Sequence, residues 1–242
     1  GDWTLVLRSA GVNGHIVTER LNDLRPLRLE NDHGTLSLVV SAGPLGIRDR
    51  FLKRAFDTVL SGAAVLLLSP LLLVIAIAIK LEDKGPVFFV QRRLGKGNRF
   101  FNMWKFRSMK VARLDADGDQ STQRDDDRIT RVGKFIRSTS IDELPQILNV
   151  LKGEMSIVGP RPHALGSQAG SKLFWEVDPD YWRRHSLKPG LTGLAQVRGF
   201  RGATEKERDL QDRLQADLEY IANWSLLTDI GIVFATAKVL VH

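Results

Sequence analysis

Asp142 and Glu143 are adjacent carboxylates near the start of the run Ser138-Thr139-Ser140-Ile141-Asp142-Glu143-Leu144-Pro145-Gln146-Ile147-Leu148-Asn149-Val150-Leu151-Lys152-Gly153. Such a pair can serve as nucleophile, proton carrier or metal ligand. The run reads as a short helix. Ser140 with Glu143 fits a capping box, but Pro145 would then lie where its missing N–H breaks a helical bond. With Asp142 as N-cap, Pro145 moves to the third helical position, and Lys152 with Gly153 supplies the stop. Either register places both acids at a helix N-terminus, which favours the ionised, nucleophilic form of an aspartate. Acids are also ordinary capping residues at that place. What points to chemistry is their company. Arg137 lies upstream, and Met155 to Val158 reads as a buried strand running into Gly159-Pro160-Arg161-Pro162, which holds Arg161 in a stiff loop. Free N–H groups, arginines and carboxylates able to hold a metal are the parts that phosphoryl transfer from a diphosphate requires.

A second group of candidates is basic. From Lys84 to Leu114 there are nine Lys or Arg and no acid, so this stretch should face anions. Val87 to Gln91 and Phe100 to Phe106 read as strands of a hairpin turning at Gly95-Lys96-Gly97-Asn98. Lys105 and Arg107, two apart, would share one face. A solvated or lipid-facing basic surface is the competing account, and Phe100, Phe101 and Trp104 could stack bases. Residues 115–127 reverse the sign, with Asp115, Asp117, Asp119, Asp125, Asp126 and Asp127 against Arg124, and read as a mobile surface loop. Asp115-Ala116-Asp117-Gly118-Asp119 has its glycine too early for a calcium loop. Asp115 and Asp117 also match the metal-binding D-x-D of nucleotide-sugar glycosyltransferases, without a flanking apolar strand to support it.

The elements that position these residues follow from composition. In 242 residues, 43% are apolar, so a sizeable core is available; there is no cysteine, which excludes disulfides, thiolate zinc sites and cysteine nucleophiles. The net charge of +7 points to an anionic partner without choosing among nucleic acid, lipid headgroups and phosphorylated substrates. Residues 1–46 alternate apolar patches (Trp3 to Leu7, Thr35 to Val40) with turn formers at Asn13-Gly14 and Asp32-His33-Gly34, as short strands would. The chain opens on Gly1 with no signal-peptide pattern, as a piece of a longer protein would. After Gly43-Pro44-Leu45-Gly46, Thr58 to Ile79 runs 22 residues without a charge, about 33 Å as helix and comparable to a bilayer's hydrocarbon. Ser69-Pro70 sits at its middle and basic residues flank both ends. A helix that enters the membrane and returns satisfies those flanks; a single span with a tolerated proline is the alternative. Leu210, Leu214, Leu218 and Ile221 form a helical stripe suited to core packing. Leu226 to Val241, interrupted by Asp229 and Lys238, is expected at the membrane interface, with burial against the core as the competing account.

At these residues the chain resembles the monotopic phosphoglycosyl transferases of bacterial sugar transferase type. The likeness runs from about Arg50 to the C-terminus. It includes Lys53-Arg54-Ala55-Phe56-Asp57, Ser69-Pro70, Gly85-Pro86-Val87-Phe88, Gln91-Arg92-Arg93-Leu94-Gly95, Lys105-Phe106-Arg107-Ser108-Met109 and Asp127-Arg128-Ile129-Thr130. Beyond these come Asp142-Glu143-Leu144-Pro145-Gln146, Val158-Gly159-Pro160-Arg161-Pro162, Pro189-Gly190-Leu191-Thr192-Gly193 and Trp224-Ser225. The resemblance implies an α+β protein: a membrane-anchored α/β catalytic core with an N-terminal re-entrant helix hairpin broken at Ser69 and Pro70, a small β-hairpin and interfacial amphipathic helices. Residues 1–46 would be the remnant of a preceding soluble domain or linker, 47–84 the re-entrant helix with its flanks, and 85–242 the core, on the cytoplasmic face of the bacterial inner membrane.

The resemblance further implies transfer of a sugar 1-phosphate from a UDP-sugar to a polyprenyl phosphate (undecaprenyl phosphate) with release of UMP and with Mg2+ as cofactor, initiating exopolysaccharide, capsule or O-antigen synthesis. Asp142 would be the nucleophile of a covalent phosphosugar intermediate, and Glu143 would place the metal with it or handle protons. Lys105, Arg107, Arg137 and Arg161 would bind phosphate. The Pro189 to Gly199 run resembles members that use glucose or galactose, although Leu194 stands where many have Trp. Two other readings compete: a D-x-D glycosyltransferase using Asp115 and Asp117, and a non-catalytic membrane-bound module binding anions or nucleic acid. A nucleic-acid binder has no use for a 22-residue apolar anchor, so membrane lipid is the expected partner and nucleic acid is not; self-association is left open.

Overall fold

The structure, a computed structural model, describes residues 6, 9–10, 14–16, 28–32, 35–41, 43–110, 128–200, 202, 204 and 206–241. The N-terminal strands β1 (Gly14–Ile16), β2 (Arg28–Asp32) and β3 (Thr35–Ser41) form an antiparallel sheet in the order β1-β3-β2, with Asp32 paired to Thr35. Val6, Ser9 and Ala10 are helical, so the patch from Trp3 to Leu7 is not extended at Val6.

Helix α1 (Ile47–Glu82) is 36 residues long, about 54 Å of helix if straight. It runs unbroken through Ser69 and Pro70, and the Ser69 hydroxyl donates to the Leu66 carbonyl at 2.8 Å. The expected break is therefore absent as a gap in helical structure: any change of direction there is a bend within one helix, because a lost proline N–H and a serine back-bond loosen a helix without ending it. The two ends of α1 pack on one body. Lys53, Asp57 and Ser61 are buried near the first end, Ile75 and Ile79 near the second, while Leu66 (77%), Leu67 (80%), Leu73 (62%) and Val74 (61%) between them are exposed.

β4 (Phe88–Leu94) and β5 (Phe100–Phe106) form the antiparallel hairpin, longer at its first strand than the sequence suggests. The turn closes through Gly97 (φ 66°) and Asn98 (φ 59°), residue types that tolerate the left-handed region. α2 (Arg131–Ser138) is capped by Thr130, whose hydroxyl accepts from Gly133 N–H at 2.9 Å, and by Glu82, whose carboxylate accepts from Arg131 and Val132 N–H at 2.7 and 3.1 Å. A 3₁₀ turn (Ile141–Glu143) leads to α3 (Gln146–Lys152), stopped by Gly153 at φ 85°.

β6 (Ser156–Val158), buried throughout, pairs in parallel with β9 (Gly190–Thr192). A Cβ on Gly190 would stand 2.1 Å from Gly159 N, so only glycine lets these backbones approach. Short pieces fill the connection: β7 (Gln168–Ala169), β8 (Lys172–Leu173), α4 (Phe174–Val177) and a 3₁₀ stretch Pro179–Ser186. α5 (Leu194–Val197), α6 (Glu207–Ala222) and α7 (Leu226–Val241) complete the chain. Leu210 and Leu214 are buried with Leu218 packed beside them, as the stripe requires, and Ile221 packs on the main core of Met103, Val150, Met155, Ile157, Val158, Tyr220 and Ile232. α7 is apolar on both its buried and its exposed sides: Ile232 is buried, while Leu227 and Phe234 are exposed. Asp229 is no mere interruption of an apolar run. Fully buried, it accepts from Lys53 Nζ at 2.8 Å and Tyr220 Oη at 2.7 Å and pins α7 to α1.

Candidate active site

Glu143 is the centre of the charge cluster. Lys105 Nζ on β5 donates to its Oε1 at 3.2 Å, and Arg161 Nη2 donates to the same oxygen at 2.7 Å. Burial alone would raise the Glu143 pKa; the Arg161 and Lys105 cations outweigh it and bring the carboxyl down to about 2. Asp142 behaves oppositely. Burial pushes its pKa up, with Lys105 opposing, the Glu143 charge adding to the rise and Arg137 opposing more weakly.

The acids are not at the N-terminus of α3. That helix begins at Gln146 behind Pro145, and the acids occupy the 3₁₀ turn before it. Pro145 has no N–H to continue the α pattern, and the chain stays tight: Glu143 N–H donates to Ser140 O at 3.2 Å and Leu144 N–H to Ile141 O at 3.1 Å. Ser140, the expected capping side chain, instead takes φ 57° with no side-chain cap. This left-handed serine, strained by on the order of 1–2 kcal/mol, turns the chain from α2 into the acids. Lysine and arginine, not a helix dipole, therefore set the electrostatics.

Tertiary contacts hold each partner in place. Asn149 stitches α3 to β5: its Oδ1 accepts from Trp104 N–H at 3.0 Å and its Nδ2 donates to Asn102 O at 2.7 Å. The Arg161 carbonyl accepts from Arg184 Nη2 at 2.8 Å, and Arg184 donates to Asp217 Oδ2 from Nη2 at 2.6 Å and Nε at 3.0 Å, both side chains being buried. At the far end of α3, Arg54 donates to the Val150 and Leu151 carbonyls at 2.7 and 2.6 Å. Asp57 accepts from Ser156 Oγ and Ile157 N–H, each at 2.9 Å, fixing β6.

Of the basic residues named from sequence, Lys105 and Arg161 meet at Glu143, and Arg137 acts on Asp142 while its Nη1 lies 3.5 Å from Ser108 Oγ. Arg107 is elsewhere. β5 ends at Phe106, and Arg107 is buried against Asp83, with Nη2 donating to its carbonyl at 2.6 Å and Nη1 3.3 Å from its carboxylate. It anchors the end of α1 and does not join Lys105 at Glu143. Ser69 and Pro70 lie on the exposed middle of α1. Arg92 lies over Phe100 at 4.0 Å and Lys152 over Trp104 at 4.3 Å, so these rings carry contacts within the chain. Asp115 and Asp117 lie outside the described residues, as does the rest of the acidic loop.

Two cavities meet at the cluster. One, about 560 Å³, is cationic: Lys105 and Arg161 line it with Arg93, Arg213 and His163. Burial, helped by Arg184 and Arg213, holds the His163 imidazole neutral, well below its usual pKa, and its Nε2 has no partner among the described residues. The other is an apolar cleft of about 320 Å³ lined by Glu143, Leu144, Ile147, Ile157, Leu191 and Val233. Sequence reasoning singled out none of Arg213, His163, Arg184 or Asp217. The one signal for Arg213 was its place beside the apolar stripe, three residues after Leu210.

Among the described residues no three or more of His, Asp and Glu gather as a metal cage. Asp142 and Glu143 match in number the one or two carboxylates that Mg2+ usually takes when substrate phosphate and water complete its shell; Glu143 is held below its usual pKa, and its two oxygens face Lys105 and Arg161.

The bacterial sugar transferase family pattern matches residues 48–242. The chain is 50% identical over 206 residues to the undecaprenyl-phosphate glucose phosphotransferase of Komagataeibacter xylinus, covering 85% of this chain and 39% of that protein. It is 48% identical over 188 residues to the exopolysaccharide production protein PSS of Rhizobium leguminosarum bv. phaseoli, covering 78% and 94%. It is 48% identical over 209 residues to the UDP-glucose:undecaprenyl-phosphate glucose-1-phosphate transferase of Escherichia coli K12, covering 86% and 44%. The chain thus spans less than half the length of the first and third of these relatives.

Proposed function

Because the chain belongs to the bacterial sugar transferase family, we propose that it transfers a sugar 1-phosphate, glucose 1-phosphate first among candidates, from a UDP-sugar to undecaprenyl phosphate with release of UMP. The observation that carries this reading is the position of Glu143, which lines the apolar cleft and is bonded to Lys105 and Arg161 of the cationic cavity, with Asp142 next to it in the chain. A nucleoside diphosphate sugar suits the first and an isoprenoid chain the second. The names of the relatives favour glucose and undecaprenyl phosphate.

Arg161 and Lys105 hold the donor's diphosphate, with Arg213 lining the same cavity. An Asp142 oxygen attacks the phosphorus that bears the sugar, and the bond from that phosphorus to the bridging oxygen breaks. UMP leaves with the electron pair, its developing charge met by the guanidinium and ammonium groups. A phosphate oxygen of the acceptor then attacks the same phosphorus and frees the Asp142 carboxylate. Mg2+ held by Asp142, Glu143 and substrate phosphate would neutralise charge in both steps. Glu143 keeps Lys105 and Arg161 together at the reacting group. The exposed apolar middle of α1, with both its ends on the catalytic body, supports a helix that enters the cytoplasmic leaflet and returns.

The test is a panel of UDP-sugars with undecaprenyl phosphate, following both nucleotide and lipid products. UMP with a lipid-linked sugar diphosphate is the expected outcome. UDP release with sugar transferred alone would instead favour the D-x-D chemistry of Asp115 and Asp117.

A further inference from the structure

A second basic cavity, of about 680 Å³, lies at the opposite end of α3 from the acids. Arg50, Lys96, Arg99 and Lys188 line it together with Gly153 and Glu154. These four cations come from three separate places: the start of α1, the β4–β5 turn and the residue before Pro189. None of the four is ion-paired among the described residues. In contrast, Lys53, Lys105, Arg107, Arg161 and Arg184 all reach carboxylates. Glu154 itself accepts from Asn149 Nδ2 at 2.6 Å.

The two lysines stand on held backbone. The turn carrying Lys96 is braced by the 2.6 Å hydrogen bond between Asn98 Oδ1 and His185 Nδ1, and Pro189 next to Lys188 accepts from Ser156 N–H at 2.9 Å. Burial lowers the pKa of both ammonium groups, helped by Arg50 at Lys96 and chiefly by Arg54 at Lys188. Four cations against the single Glu154 carboxylate of the lining, with Asp57 offsetting part of the charge at Lys188, leave an excess of like charge in the cavity, and an anion relieves it.

Exposed apolar side chains flank Arg50 in the chain: Ile47 (82%) and Phe51 (72%) lie one helical turn apart on α1, and Phe100, on the cavity wall, is 44% exposed. We propose that this cavity binds a phosphate-bearing anion, in the chemistry of a phospholipid headgroup whose acyl chains lie on Ile47 and Phe51. It is separate from the Glu143 cluster and independent of the transfer chemistry. Occupied, it ties the start of α1 to the catalytic body through the ligand.

Binding of dioctanoyl phosphatidylglycerol, dioctanoyl phosphatidylcholine and inorganic phosphate is measured by calorimetry on the purified chain and on Lys96→Gln/Lys188→Gln, with the thermal midpoint as folding control. Wild type should prefer phosphatidylglycerol to phosphatidylcholine, and the double variant should weaken phosphatidylglycerol about tenfold or more. Loss of one inorganic phosphate site with lipid binding unchanged would keep the phosphate chemistry and assign a soluble ligand. If the double variant is unstable, the exposed Arg99→Gln gives the same comparison. Unchanged affinity for both anionic probes in folded variants overturns the proposal, whatever the outcome for sugar transfer.

Discussion

Arg161 reaches Glu143 at 2.7 Å with its guanidinium while its own carbonyl is held by Arg184. The residue joins the charge cluster to the buried framework behind it, and the two prolines around it leave little backbone freedom. Arg161→Ala should lower kcat/KM at least tenfold, since a charge-assisted phosphate contact contributes on the order of 1.5–3 kcal/mol, while the protein stays folded. Arg107→Ala should do the reverse, lowering stability by about 1.5–3 kcal/mol through loss of its bonds to Asp83 while sparing the activity of the folded fraction. Denaturation curves and steady-state kinetics on both variants check the pair; equal loss of activity in the two would contradict the assignment.

The Arg184–Asp217 pair is buried on both sides. Asp217→Asn leaves Arg184 uncompensated and should cost about 3–5 kcal/mol. Replacing both, as Arg184→Met with Asp217→Leu, should recover much of that stability. It should not recover kcat, because the Arg161 carbonyl has lost its donor. Full activity in the stable double variant would show that Arg161 needs no such support.

Acid should act through two carboxylates of opposite behaviour. The Asp142 pKa is raised by burial, so activity that requires its ionised form should fail on acidification at a higher pH than an ordinary aspartate near 3.9 dictates. Glu143 lies below its ordinary 4.5, at about 2. Its contribution to stability is thus present above 4.5 and lost as pH falls toward 2. Glu143→Gln should remove that part of the stability slope between pH 4.5 and 2, measured by denaturant midpoints across that window. A slope unchanged by the substitution would mean that other carboxylates carry it.

Topology can be read directly, since the chain has no native cysteine. Cysteines placed at Arg50 and Lys84 should both resist an impermeant thiol label added to intact cells. Labelling of the Arg50 site alone would mean a full span.

Local features were legible in the sequence. The β4–β5 hairpin, the buried strand at Ile157, the Gly153 stop and the Leu210–Leu214 stripe each follow from neighbours a few residues apart. The candidate site was legible only as residue types clustered along the chain, as at Asp142, Glu143 and Arg161, of which the structure brings Glu143 and Arg161 into contact. What was not legible joins distant segments. Lys53 meets Asp229 across 176 residues and Asn149 meets Trp104 across 45, and nothing in either neighbourhood announces the partner. Arg107 pairs with Asp83, which lies at the end of α1 and outside the hairpin that the sequence displays. The start of α3 was misplaced because the missing N–H of Pro145 tightens the turn ahead of the helix.

The central claim is that Asp142 becomes covalently loaded. Enzyme mixed with UDP-glucose, with no acceptor lipid present, should release about one UMP per active site and leave a sugar phosphate on the peptide containing Asp142. The Asp142→Asn variant should fold and show neither. An adduct mapped to another residue, or wild-type turnover by Asp142→Asn, would contradict the account.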